Sequence, residues 1–287
     1  MNKIINIIKL IRPQQWYKNL LVFLPLIFSG NIANLNYLML TLVGFIGLCM
    51  ISSANYVMND IIDIRRDKKH PEKKKRPIAS GKIRLWQGIV LFIILLVMAI
   101  CLAAPLNINF FYAVMFLFIF TLVYSLFLKR EPFLDIIVIG INFVVRAVAG
   151  AFIIDVEISP WLISCVFFLA LFLASGKRHA DAMFLGKSAK KHRKTLDVYT
   201  PETTNALMII TTALLVLSYS LYSFLSKHTP YLIFSMPFAL YLIFRYFYLV
   251  YSGSPVARHP ERVFLDLKMD FALVLWAAVT FYILYFL

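Results

Sequence analysis

The sequence predicts an all-α integral membrane protein, nine transmembrane helices forming a bundle around a polar cavity that faces the cytoplasm. Three observations carry that prediction. Of 287 residues, 61% are hydrophobic, 16% aromatic and only 15% charged, whereas soluble domains run at roughly 45–50% apolar and about 25% charged. The mean hydropathy is +0.80, and apolar stretches of about 18 to 22 residues recur along the chain. Finally, 26 of the 29 lysines and arginines fall on one side of those stretches. Together these exclude a disordered chain, a collagen and a secreted disulfide framework.

A spanning helix needs about 20 mostly apolar residues, since each adds 1.5 Å against a hydrocarbon core of about 30 Å. Such stretches lie at 19–34, 37–58, 85–104, 109–128, 134–154, 160–177, 204–226, 231–251 and 270–287. Pro25 interrupts the first, and Asn31 and Asn34 make its far end polar, although a membrane helix tolerates a proline kink. The segment Met1 to Lys18 lacks the pattern of a cleavable signal peptide. Nine spans put the termini on opposite sides. Lys and Arg number four in 1–18, ten in 59–84, two in 129–131, seven in 177–203 and three in 252–269. The other side holds only Lys227, and Arg146 and Arg245 lie within spans. The positive-inside rule therefore places the N-terminus in the cytoplasm and the C-terminus outside, in a multi-pass cell-membrane protein. We read 1–287 as one membrane domain with its chemistry on cytoplasmic loops near 59–84 and 177–203. Cys49, Cys101 and Cys165 sit in apolar stretches without a CxxC or histidine partner and read as packing residues.

Topology alone accounts for much of the +15 net charge, but not for Asp60, Asp63, Asp67 and Glu72 standing among the ten cations of 59–84. The outer loops are nearly featureless apart from Asp155 and Glu157. If the second helix runs past the membrane edge, Asn55, Asn59, Asp63 and Asp67 line one stripe with Asp60 beside them. Carboxylates at that spacing repel unless a cation lies between them. Their oxygens and an amide carbonyl suit Mg²⁺, which takes its remaining ligands from water and a substrate phosphate. A solvated helix end bridged to the neighbouring lysines is the plainer alternative. The next loop, from Lys68 to Lys82, is broken by His70-Pro71, Arg76-Pro77 and Ser80-Gly81 and reads as a mobile cationic cover. We assign Lys73–Lys75 to lipid headgroups and Arg76 to substrate.

Asn59-Asp60-x-x-Asp63-x-x-x-Asp67 with Arg76-Pro77-Ile78-Ala79-Ser80-Gly81 after it resembles the first aspartate motif and loop of the UbiA-type prenyltransferase superfamily of nine-helix membrane enzymes. The resemblance covers the whole chain. It implies that Asp60, Asp63 and Asp67, with Asn59 in support, bind Mg²⁺ and the diphosphate of an activated donor, Asp60 and Asp63 being the catalytic pair. Ordinary members carry a second aspartate-rich motif after the sixth span. Here that stretch reads Ala174-Ser175-Gly176-Lys177-Arg178-His179-Ala180-Asp181, offering cations suited to a phosphate ligand. With Arg12-Pro13-Gln14-Gln15-Trp16-Tyr17-Lys18-Asn19, Tyr124-Ser125…Lys129 and Asp135…Arg146, the string looks like the decaprenyl-phosphate phosphoribosyltransferase branch of the superfamily.

In the N-terminal string, Arg12, Gln15 or Trp16, and Asn19 fall on one helical face, while Trp16, Tyr17 and Lys18 also suit an interfacial belt. A charge midway along a span costs at least ~2.5 kcal/mol, so Arg146 should face a wet cavity or an interhelical partner. Asp135, Asn142 and Arg146 share one face of the fifth helix, about 16 Å separating the two charges along the axis. Arg245 has no such stripe and reads as structural.

The resemblance implies 5-phosphoribosyl diphosphate as donor and a polyprenyl phosphate as acceptor. The expected substrate-binding groups are Arg12, Lys18, Asn19, Asn55, Arg76, Tyr124, Lys129, Asp135, Asn142, Arg146, Lys177 and Arg178. The lipid phosphate is already anionic, so no general base is expected. Two alternatives are a prenyltransferase joining an allylic diphosphate to an aromatic or lipid acceptor, and a lipid-phosphate carrier. The first needs a second metal site that Asp181 alone supplies poorly. The second needs polar groups reaching the outer side, where the spans are nearly uncharged. Nothing in the chain suggests a nucleic-acid partner or specifies an oligomeric state.

Overall fold

The computed structural model of the protein describes residues 3–70, 73–185, 198–225, 230–254, 257 and 266–287. Pro71, Glu72, Lys227, Arg258, Arg262 and the 186–197 part of the loop expected near 177–203 lie outside the described residues. In chain order the helices are α1 (Lys3–Ile11), α2 (Leu24–Phe28), α3 (Leu35–Ile62), α4 (Ile64–Asp67), α5 (Leu85–Ala103), α6 (Ile108–Leu126), α7 (Leu134–Ile154), α8 (Pro160–Leu185), α9 (Pro201–Leu225), α10 (Met236–Tyr251) and α11 (Leu267–Phe286). Among the described residues, eight helical segments are long and apolar enough to cross a membrane. They are α3, α5 to α9, α10 with the 3-10 turn before it, and α11. This is a multi-pass membrane protein.

The first predicted span is built differently from the other eight. A 3-10 stretch, Pro13–Phe23, runs straight into α2. Eleven residues at about 2.0 Å and five at 1.5 Å give about 30 Å, so this short segment still matches the hydrocarbon thickness. It ends in a turn with Gly30 at φ 75°, after which Asn34 caps α3 by accepting from the amides of Asn36 and Tyr37 at 3.0 and 3.2 Å. The asparagines that made the predicted span end polar thus belong to a turn and a helix cap. Ahead of the 3-10 stretch, α1 exposes Ile4, Ile5 and Ile8 and buries Asn6 and Leu10.

The chain divides into two compact units, residues 1–126 with 145–156, and residues 127–144 with 157–287. In the first, α3 is the central element, packed along α5 and against α6, α1 and the 3-10 stretch. Val22, Leu26, Leu48, Ile51, Phe110, Ala149 and Ile153 form its main apolar cluster. A second cluster joins Leu10, Ala54, Val57, Ile78, Ile83 and Leu95. In the second unit, α8 packs along α9, and α10 against α11. Tyr246 of α10 donates to the Leu173 carbonyl of α8 at 3.2 Å, directly over Gly176, where a Cβ would meet the Tyr246 ring at 2.6 Å.

The sequence reading ends this span at 177, yet the helix continues to Leu185. Lys177, Arg178, His179 and Asp181 are helical residues, not loop residues.

The closest backbone approach in the first unit is at Gly150 of α7, where a Cβ would lie 2.0 Å from the Val22 carbonyl oxygen. We expect Gly150→Ala to destabilise by about 3 kcal/mol, at the upper end of overpacking costs. Gly47, whose Cβ would find an ordinary contact at 3.6 Å, should gain up to about 1 kcal/mol as alanine. Thermal unfolding of the two variants in detergent checks both signs.

Candidate functional site

Helix α3 ends at Ile62 because Asp63 leaves the α-region, with φ −86° and ψ 5°. The chain resumes at once, the amide of Asp67 donating to the Asp63 carbonyl at 2.8 Å. Asp60 and Asp67, seven residues and about two turns apart, share one partner, Arg76. Its Nη1 donates to Asp60 Oδ1 at 3.1 Å and to Asp67 Oδ2 at 2.7 Å. Arg12 Nη2 reaches the same Asp60 Oδ1 at 2.5 Å, with its guanidinium 4.9 Å from the centroid of the Tyr56 ring. Both carboxylates are 2% exposed.

The predicted stripe of Asn55, Asn59, Asp63 and Asp67 is therefore corrected. Asp63 stands 20% exposed with Arg66 at 3.8 Å, and Asn59 donates to Ser125 of α6 at 2.9 Å. Among the described residues no three acidic, histidine or cysteine side chains gather as a ready cage for a metal ion. Two oxygens at this end of α3 are nevertheless buried without a hydrogen-bond partner, Asp60 Oδ2 and Asn55 Oδ1. Both are acceptors, and an unsatisfied buried acceptor carries a desolvation cost until a donor or a cation reaches it.

The loop carrying Arg76 is packed, contrary to the expectation of a mobile cover. Ile78 and Ile83 are buried against Leu10, Ala54 and Val57. The turn between them closes through Ser80 N to Arg76 O at 2.9 Å and Ile83 N to Pro77 O at 3.0 Å, with Gly81 at φ 75°. Lys73, Lys74 and Lys75 stay exposed in a 3-10 turn.

The N-terminal string does not form the expected α-face. Arg12 adopts a left-handed backbone, φ 53° and ψ 61°, which turns the chain out of α1 and aims its side chain at Asp60. The 3-10 stretch then places every third residue on one side. Trp16 donates to Ser53 Oγ at 3.0 Å, and Asn19, buried, donates to Cys49 Sγ at 3.4 Å and accepts from Ser52 at 3.3 Å. Val22 packs on Gly150. Arg146 Nε donates to Asn19 Oδ1 at 2.8 Å, so the intramembrane charge meets an amide on a neighbouring element. Lys18 lies 5.7 Å from the Tyr17 ring centroid, and Asn142 bonds its own helix at the Val138 carbonyl, 3.0 Å away.

In the second unit, Asp135 and Arg178, expected to face substrate, face each other. Arg178 donates to Asp135 Oδ2 from Nε at 3.2 Å and Nη2 at 2.7 Å. The Tyr199 hydroxyl donates to Asp135 Oδ1 and accepts the Phe133 amide at 2.8 Å. Asp135 is wholly buried, in the first turn of α7, where a negative charge suits the helix dipole. Both of its oxygens are bonded within the protein, to Arg178 and Tyr199, and it orients these groups. Lys177, Tyr124 and Lys129 are partly exposed. Arg245 pairs with Asp266 through two bonds of 3.1 and 2.7 Å, consistent with a structural residue.

The sequence reading missed Tyr199, Ser125 and Tyr56. Ser125 and Tyr56 adjoin motif residues and are found by proximity, whereas nothing local marks Tyr199.

Burial first, and then the hydrogen bond to Asp135, raise the Tyr199 phenol above its ordinary value of 10. A raised pKa stabilises the fold fully below pH 10, and that stability is lost as pH rises through the folded-state value. We expect the melting temperature of the protein to fall more steeply above pH 10 than that of Tyr199→Phe. At neutral pH the variant should be less stable by about 2–4 kcal/mol, for the lost hydrogen bond to the buried Asp135 charge and the Phe133 amide left without its acceptor.

The family model described as the UbiA prenyltransferase family matches residues 22–274. The decaprenyl-phosphate phosphoribosyltransferase of Mycolicibacterium smegmatis is 32% identical over 227 residues, 78% of this chain and 71% of that protein. The enzyme of the same name from Corynebacterium glutamicum is 31% identical over 274 residues, 92% of this chain and 82% of that protein. Among solved structures, a UbiA homolog from Archaeoglobus fulgidus bound to DMAPP and Mg²⁺ has a TM-score of 0.73 at 22% identity, covering 98% of this chain and 100% of that one. The chain belongs to the UbiA prenyltransferase family and, within it, to the branch of the decaprenyl-phosphate phosphoribosyltransferases.

Proposed function

We propose that this protein transfers the 5-phosphoribosyl group from 5-phosphoribosyl diphosphate to a polyprenyl phosphate at the cytoplasmic face of the cell membrane, with Mg²⁺ as cofactor. The N-terminus then lies in the cytoplasm, as the segregation of 26 of the 29 Lys and Arg residues onto one side of the spans requires. The single observation that carries the chemistry is the convergence of Arg12 and Arg76 on Asp60. It puts two diphosphate-binding forks beside two carboxylates. The names of the relatives supply the substrate class.

The residues present fit a hard cation. Asp60 Oδ2 and Asn55 Oδ1 are the unsatisfied oxygens that would hold it, with Asp67 beside them and Asp63 and Asn59 on the same chain end. When bound, Mg²⁺ supplies charge neutralisation for the leaving diphosphate.

In the reaction, an oxygen of the lipid phosphate forms a bond to ribose C1 as the bond between C1 and the diphosphate oxygen breaks. Arg12 and Arg76 bind the diphosphate oxygens, their planar forks suiting a phosphate edge. The charge they place there stabilises the departing group as the ribose ring becomes cationic. The nucleophile is an anion at neutral pH, so no proton need be removed. Tyr56 supports the Arg12 guanidinium through its ring face, and the buried Ile78 and Ile83 hold the loop from which Arg76 projects.

The test is an incubation of the purified protein with radiolabelled 5-phosphoribosyl diphosphate, Mg²⁺ and a polyprenyl phosphate, and then extraction of the lipid phase. Label should enter the lipid only when all are present. Asp60→Asn should lower the rate by about 100-fold or more, the scale of a lost electrostatic group in an active site. Transfer from an allylic diphosphate to an aromatic acceptor, with no label from the phosphoribosyl donor, would replace this reading by prenyl transfer.

A further inference from the structure

Asp60, Asp67, Arg12 and Arg76 form a closed electrostatic group. Two carboxylates, each 2% exposed, carry two negative charges. Two arginines, 21% and 26% exposed, carry two positive ones and bond directly to them. The quartet is neutral as it stands. A divalent cation entering alone would leave two uncompensated positive charges in a place where charges are taken out of water, and such an excess is strongly disfavoured. A cation entering with a diphosphate would bring its own countercharge. The arginines then have a second anion to bind, and the carboxylate oxygens they now occupy become available.

We propose that Arg12 and Arg76 are exchangeable counterions that make metal binding at Asp60 and Asp67 conditional on a diphosphate. In the resting protein they neutralise the carboxylates. When the donor arrives they pass to the diphosphate, and the carboxylates take the cation in their place. Asp60 Oδ2, which has no hydrogen-bond partner, is open to a cation beforehand. Asn55 Oδ1, buried and equally without a partner, adds no charge and so does not alter the balance. The consequence is an obligate pairing: the site admits metal and diphosphate together and holds neither well alone. Arg76 is the stronger lock, because it bridges both carboxylates while Arg12 touches one.

This inference rests on the proposed diphosphate site but not on which group is transferred, so its test uses inorganic diphosphate as the probe. The full chain in phosphatidylcholine nanodiscs is mixed with ⁵⁴Mn²⁺, and the metal that stays with the protein through a rapid desalting column is counted. The wild type should retain little metal alone, and diphosphate should tighten retention by about tenfold or more, the equivalent of about 1.4 kcal/mol. Arg76→Gln should retain metal without diphosphate and show little further gain from it. Arg76→Lys keeps the charge and should behave as the wild type. Equal retention by the wild type with and without diphosphate overturns the proposal, as does an Arg76→Gln protein indistinguishable from wild type. Should Arg76→Gln fail to fold, the wild-type comparison decides by itself. If the coupling is found while phosphoribosyl transfer is not, the exchange stands and the assigned substrate falls.

Discussion

A buried carboxylate is tolerated only where something offsets its charge, and in this protein that requirement at Asp60 organises one end of the first unit. Arg12 must arrive from the N-terminal segment and Arg76 from the loop after α4, so two separate stretches of chain are tied to the last turns of α3. Each has its own apolar anchor. Leu10 is buried two residues before Arg12, and Ile78 two residues after Arg76, in the same cluster. The arginines are therefore held by packing as well as by charge.

The same logic operates deeper in the membrane-spanning part. Arg146 would be costly at the middle of a span without a partner. Its partner is Asn19, which lies on the 3-10 stretch. The tighter helix matters here: with three residues per turn, Trp16, Asn19 and Val22 all face the same way. The first two meet Ser53, Ser52 and Cys49 of α3, and the main-chain carbonyl of Val22 lies against Gly150.

In the second unit a comparable buried ion pair has a different role. Asp135 receives Arg178 and Tyr199 at once, fixing the start of α7, the end of α8 and the segment before α9 to one another. Asp266 likewise combines an ion pair to Arg245 with the N-cap of α11, where it accepts the Met269 amide at 2.9 Å. Arg245 holds the Asp266 carboxyl below its ordinary value, so the pair persists into mild acid. Both oxygens of each of these carboxylates are bonded by the protein itself. Asp60 differs in keeping one oxygen without a partner.

Much of this protein is written in local pattern. Hydropathy over about 20 residues sets the eight long spans, because each must satisfy its own backbone in lipid and so announces itself in consecutive residues. The aspartate motif and Arg76 are legible for a similar reason: charge repulsion at helical spacing demands a counterion, and the demand is visible in sequence. The first span is legible at 19–34, but its 3-10 start at Pro13 is not, because polar residues at 15, 18 and 19 interrupt the apolar run. The roles of Asp135 and Arg178 are beyond the reach of local pattern. Forty-three positions separate them, and only the folded chain decides whether two opposite charges face a ligand or each other. Tyr199 is invisible for the same reason, since a hydroxyl that completes a buried carboxylate has no neighbours in sequence to betray it. Sequence determined where the chain crosses the membrane and which residues carry charge between the spans; tertiary structure decided which of those charges are already satisfied, because pairing depends on distance in space.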